Sequence, residues 1–164
     1  MVSRQDYEEG SPTKEEDVMK KLHMYTTRGQ VPDNTEKRIQ LFDGRFDTAF
    51  RVVDFRVWGS DANASDSDVA SRLSTEELGV PTSPDIFDAS DNRQIGWASS
   101  EMDTALGAGN WQSIVDPDNL IVEDLFIWAN DSANDPINYM ITLEKYDITE
   151  WKGALAMVRN RSQA

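Results

Sequence analysis

From Lys37 onward, apolar and polar residues alternate with a period of two. Ile39 and Leu41 alternate with Arg38 and Gln40, and Asp43-Gly44 then gives a strong turn signal. In the run 46–58, Phe46, Thr48, Phe50 and Val52 share one face of an extended chain. Val53, Phe55 and Val57 continue the apolar series one residue out of phase. Such a flip arises from a β-bulge, or from two strands joined by a tight bend. Further strands are predicted at 94–98, 120–128 and 138–146. In the last, Tyr139, Ile141 and Leu143 point one way and Met140, Thr142 and Glu144 the other, which marks one buried and one wetter face. Val122, Leu125, Ile127, Tyr139, Ile141 and Leu143 are the expected core positions.

The ends of the chain lose this alternation. Residues 1–36 read as an N-terminal arm, partly disordered or ordered by a partner, and 37–164 as the folded domain. Within the arm, 14–24 fits a short helix with Val18 and Leu22 on one side, and Pro32-Asp33-Asn34 is a turn. Residues 79–92, with Pro81 and Pro84, read as a long loop; 107–110 and 116–119 read as turns. Asp147 with Glu150 is a variant capping box. Ile148, Trp151, Leu155 and Val158 follow at helical spacing, so a C-terminal helix is expected from about 148 to 159.

Two segments echo each other at an offset of 70 residues: Val52-Val53-Asp54-Phe55-Arg56-Val57-Trp58 and Val122-Glu123-Asp124-Leu125-Phe126-Ile127-Trp128. A new strand pattern begins soon after each tryptophan. The pattern predicts two hairpins, 51–58 with 67–75 and 121–128 with 138–146. The expected fold is mainly β: an antiparallel two-sheet sandwich, jelly-roll-like, with a C-terminal helix. Any two bulged strands look alike, so the echo alone does not establish duplication.

The chain's 164 residues suit one domain. A domain of this size buries roughly 70% of its unfolded surface and needs no covalent staple. There is no cysteine, which excludes disulfides and thiolate metal sites. The first 30 residues hold no apolar run, so neither a signal peptide nor a membrane-spanning helix is expected. The net charge of −14 repels nucleic acid and serves solubility, with adaptation to salt or avoidance of nearby packaged nucleic acid as sharper readings. No nucleic-acid or membrane partner is expected.

Candidate chemistry is sparse. His23 is the single histidine, so any histidine-based triad has to use it, and it sits in the arm between Leu22 and Met24. Gly107 and Gly109 precede Asn110-Trp111, not the Lys-Ser of a phosphate loop. Glu123-Asp124, Glu101 with Asp103, and Asp88 with Asp91 are carboxylate pairs. Adjacent strand residues face opposite ways, so Glu123 and Asp124 share a cleft only if a bulge lies between them. Two oxygen-rich loops fit calcium best: Asp61, Asn63, Asp66 and Asp68 in one, and Asn130, Asp131, Asn134 and Asp135 in the other. They lack EF-hand spacing, and Asp and Asn are also ordinary turn residues. Of the five tryptophans, Trp58 and Trp128 sit at strand ends beside loops, where a sugar platform is placed; core packing is the plainer reading. No catalytic, cofactor-binding or metal-ligating residue is assigned, and the chain is not expected to be an enzyme.

The C-terminal third carries a resemblance. Its residues run Leu120-Ile121-Val122-Glu123-Asp124-Leu125-Phe126-Ile127, then Asn138-Tyr139-Met140-Ile141-Thr142-Leu143-Glu144-Lys145-Tyr146, then Gly153-Ala154-Leu155-Ala156-Met157-Val158-Arg159-Asn160-Arg161-Ser162. With Ser90-Asp91-Asn92-Arg93-Gln94-Ile95-Gly96-Trp97-Ala98, this resembles a family of small virion structural proteins encoded beside capsid genes in marine tailed bacteriophages. The resemblance implies a capsid-associated decoration, cement or minor capsid protein in the virion. It implies homo-oligomers and contact with other virion proteins such as the major capsid protein. It carries no functional residues and no cofactor. The alternative from the residues is a carbohydrate-binding or adhesion module using loop tryptophans and calcium.

Overall fold

Rows of aliphatic and aromatic side chains, every second residue along the strands, set the architecture. The computed structural model describes residues 19–45, 47–63, 66–84, 86–103 and 108–148. They form eight strands: β1 (Met19–Val31), β2 (Thr35–Ile39), β3 (Thr48–Gly59), β4 (Asp66–Ser74), β5 (Gln94–Asp103), β6 (Ala108–Val115), β7 (Leu125–Asp131) and β8 (Ile137–Ile148). Two antiparallel sheets result, one ordered β1-β8-β3 and the other β2-β7-β4-β5-β6. The chain is mainly β, with no helix among the described residues.

One hydrophobic cluster draws on both sheets. Val52, Phe55 and Val57 of β3 and Tyr139, Ile141 and Leu143 of β8 join Leu73, Ile95, Leu125 and Ile127 of the other sheet. A smaller cluster, Ala49, Val122 and Ile148, closes one end. All six expected core residues are buried.

The phase flip in 46–58 is a bulge. Val52 lies opposite Leu143 and Asp54 opposite Thr142, so Val53 is the extra residue of β3. It is 41% exposed, while Val52 and Phe55 on either side are buried. One inserted residue therefore keeps both halves of the strand facing the core.

The two expected hairpins are corrected. β3 pairs with β8, and β4 pairs with β7. The chain after β3, and again after β7, crosses from one sheet to the other. The two crossings are stitched together: Ser60 N–H donates to the Pro136 carbonyl at 3.2 Å, Ser132 N–H to the Asp68 carbonyl at 3.0 Å, and the Ser67 hydroxyl to Asp131 at 3.0 Å. Period-two patterning says which face is apolar; it does not say which strand is the neighbour. Exchanging β3 with β7 and β4 with β8 maps one pairing onto the other, so the echo has a counterpart in the topology.

Other expectations also change. The described part of the expected N-terminal helix, residues 19–24, is the start of β1, which runs beside β8 from Met19 opposite Ile148 to Val31 opposite Ile137. Residues 19–36 thus take their order from this chain's own β8 and β7. Gly29 is needed there, because a Cβ would lie 2.8 Å from the Tyr139 hydroxyl that crosses over it. The turn at 32–34 is present, with Asn34 at φ 50°. Residues 108–110, read as a turn, open β6. β7 starts at Leu125, not at 120. Asp147 and Ile148 belong to β8, and the rest of the expected C-terminal helix lies outside the described residues.

Candidate functional site

The edge of β3 is closed over one half and open over the other. Phe50 and Ile121 exchange two backbone hydrogen bonds of 2.7 Å across it. At Val52 the side-chain amide of Asn119 takes the place of a neighbouring strand. Its Oδ1 accepts from the Val52 N–H at 2.8 Å, and its Nδ2 donates to the Val52 carbonyl at 3.1 Å. Beyond the bulge no described strand pairs with this edge. Phe50 and Val52 turn their backbone groups away from β8, and the bulge shifts that alternation by one. Phe55 and Val57 therefore direct theirs to the open side.

Opposite this edge stands β6, the last strand of the larger sheet. The two strands lie side by side across a gap, with no ladder of hydrogen bonds between them. Every residue from 109 to 114 is exposed. Trp111, at 61%, and Ile114, at 67%, are the most exposed large hydrophobics among the described residues. Gly109 lets the Trp111 ring fold back along the strand: a Cβ there would lie 3.1 Å from the ring. Between β3 and β6 runs a groove of about 410 Å³, with Val53, Asp54, Arg56 and Val57 on one wall and Trp111, Gln112, Ser113 and Val115 on the other. Asp54 and Arg56 pair at 3.0 Å on its rim. A shallow recess at one end is flanked by Trp58, 37% exposed, and Trp111, with Asp61, Ser67 and Glu101 nearby.

Of the tryptophans and acidic residues singled out from sequence as candidates, Trp58, Asp61 and Glu101 line this recess, and the others fall elsewhere. Trp58 reaches the groove, but Trp128 is 2% exposed, with its Nε1 donating to Asn34 at 3.3 Å and the Arg72 guanidinium over its ring at 5.8 Å. Trp97 donates to Gln94, and Trp151 lies outside the described residues. His23 stands exposed on β1 beside Tyr25. The two oxygen-rich loops adjoin through the stitches already described. Asp131 is buried and spent on Ser67 and the Ala133 N–H, and Asp61 on the Asn63 N–H. Among the described residues no three His, Asp or Glu side chains converge as a metal ion needs.

Asp124 of the carboxylate pair is structural. Its Oδ1 accepts from the Leu41 and Phe42 N–H groups at 2.9 and 3.1 Å, and its Oδ2 from Arg38 Nε at 2.6 Å. Burial pushes its pKa up, but the Phe42 N–H, the Arg38 guanidinium and the Leu41 N–H together outweigh burial and hold it below the ordinary value. Arg72 and Glu36 form a buried pair at 3.4 Å. Arg72 also donates to the Gly79 carbonyl at 2.8 Å, and Glu36 accepts the Leu78 and Gly79 N–H groups. Together they clamp the loop after β4 to the sheet. Burial lowers the Arg72 pKa.

Sequence reasoning missed Trp111 as a surface residue because Gly109-Asn110 reads as a turn. The available signal was a run of eight residues, Ala108–Val115, without a charge in a strongly charged chain. No family model matches the sequence, and no curated protein is significantly similar to it.

Proposed function

We propose that this protein is a structural component of a virus particle. It is a capsid-associated decoration, cement or minor capsid protein that works through protein–protein contact, not catalysis. In this reading its two sheets face each other as a jelly-roll-like sandwich. The strand order supports that: β1-β8-β3 and β2-β7-β4-β5 follow the nested pairing of an eight-stranded jelly roll, with β6 kept beside β5 instead of closing on β3. Jelly rolls serve in capsid and lectin domains. The observation that carries the reading is the open side of the molecule. A half-closed edge on β3 faces the edge strand β6 with its exposed Trp111 and Ile114, a surface suited to a protein partner. Its partners are further copies and the major capsid protein, and its location is the virion.

Co-sedimentation of the full chain with shells assembled from the capsid protein of the same genome tests this. Saturable binding at a fixed ratio is expected, weakened by Trp111→Ala. No binding to shells or to any other virion protein refutes it. A second reading, a carbohydrate-binding module, is favoured by Trp58 and Trp111 flanking one small recess. A glycan array decides that reading: binding lost in both Trp58→Ala and Trp111→Ala supports it.

A further inference from the structure

The outer face of the three-stranded sheet carries a charge opposite to that of the chain. On β8, Met140, Thr142 and Glu144 alternate with the core residues Tyr139, Ile141 and Leu143, and so point away from the core. The register sets Arg28 of β1 and Arg56 of β3 on either side of Met140, Asp54 beside Thr142, and Arg51 beside Glu144. Lys21 lies one row further on, beside Tyr146. Four cations, Lys21, Arg28, Arg51 and Arg56, thus share this face with two carboxylates, Asp54 and Glu144, in a chain of net charge −14.

Both carboxylates are occupied. Glu144 accepts from Lys21 and from the Tyr146 hydroxyl, and Asp54 accepts from Arg56 at 3.0 Å. Arg28 is exposed and meets no carboxylate among the described residues. Arg51 stands over the Tyr146 ring at 5.3 Å, and its buried Nε has no hydrogen-bond partner there.

We propose that this face is the docking site of the chain's own acidic N-terminal segment, residues 1–18. The segment holds Asp6, Glu8, Glu9, Glu15, Glu16 and Asp17 against Arg4 and Lys14. It joins β1 at Met19, which lies opposite Ile148 at one end of this face, with Lys21 two residues on. Eighteen residues reach at most about 60 Å, and the twelve residues of β8 span about 40 Å, so every row lies within range.

Charge and tethering select this occupant. The C-terminal segment leaves from the same end of the face, after Ile148, but carries Lys152, Arg159 and Arg161 against Glu150 alone. A separate anion has to approach a molecule of net charge −14. A tethered one is already there, at an effective concentration on the order of millimolar, so surface pairs that are individually weak suffice to hold it. Docked, the segment masks the face, and other anions reach Arg28 and Arg51 only when it leaves. The proposal concerns the chain by itself and stands whether or not it belongs to a virion.

Paramagnetic relaxation in solution is the test. The chain has no cysteine, so Ser11→Cys takes a single nitroxide label in the middle of the segment. At low salt the label should broaden the amide signals of Arg28, Met140 and Arg56. High sodium chloride should remove that broadening, because the contact is made by exposed charges. Arg28→Glu combined with Arg56→Glu should remove it at low salt, with the far-ultraviolet circular dichroism unchanged. Broadening absent from these residues at low salt, or insensitive to salt, overturns the proposal even if the double variant fails to fold. In a mixture of nitroxide-labelled chain with isotope-labelled chain lacking nitroxide, no broadening is expected. Broadening of the face there overturns the proposal, since the segment of a second copy is then the occupant.

Discussion

Asn119 shows how much one side chain carries. It is buried, and its amide gives Val52 the two hydrogen bonds a neighbouring strand would supply. Asn119→Ala leaves a buried N–H and carbonyl without partners, so a loss of about 2–4 kcal/mol is expected in urea unfolding. Asn119→Asp keeps the shape but sets a carboxylate oxygen against the Val52 carbonyl, and should be destabilising too. Asp124 gives a pH signature. Folding lowers its pKa from 3.8, so the carboxylate contributes stability above that value and loses it as pH falls through the depressed folded value. Asp124→Asn keeps an acceptor oxygen but cannot titrate. The wild type should be the more stable at neutral pH, and the gap should narrow in acid, read from urea midpoints of both proteins across a pH series.

The bulge in β3 is a feature of the element and not of Val53 as a side chain. Removing Val53 leaves each remaining residue opposite its present partner on β8, because Val52 and Asp54 already face the consecutive residues Leu143 and Thr142. Phe55 and Val57 should therefore stay buried. Deletion of Val53 is expected to be less damaging than Phe55→Ala, whose cost should be about 3–5 kcal/mol. Thermal unfolding of the two variants compares them directly, and a greater loss from the deletion would mean that the bulge itself supports the fold. The same alternation made β3 and β8 legible from sequence. β1 was not legible: Val18 and Leu22 sit at helical spacing, and Thr26, Thr27 and Gly29 interrupt any apolar row. β1 is a strand because β8 offers it an edge along its whole length.

For the molecule as a whole, that pairing bears on truncation. Read as a detachable arm, the N-terminal residues could be removed without harm to the core. Val31 is fully buried in the main cluster, and β1 covers one edge of β8. Deleting residues 1–34 should cost about 3 kcal/mol or more, the loss expected from one large buried side chain alone. Urea unfolding of the truncated chain beside the full chain measures it. The groove is also a property of the whole: β3 and β6, the last strands of different sheets, lie side by side across it with no ladder between them.

Composition and alternation were enough to establish a mainly β chain, the six core positions from Val122 to Leu143, the phase break at Val53, and the turns at 32–34 and 43–44. These follow from local rules, because period two and turn chemistry are written in consecutive residues. Which strands are neighbours was decided only in the folded chain. The hairpin reading put β3 beside β4 and β7 beside β8, and both pairs cross between sheets instead. An apolar row shows that a strand face is buried but not what buries it, so pairing depends on residues far apart in sequence. The site shares that origin. Trp128 and Trp111 look alike in sequence, yet one is buried under Arg72 and the other stands exposed on an edge, because β7 is flanked by two strands and β6 by one.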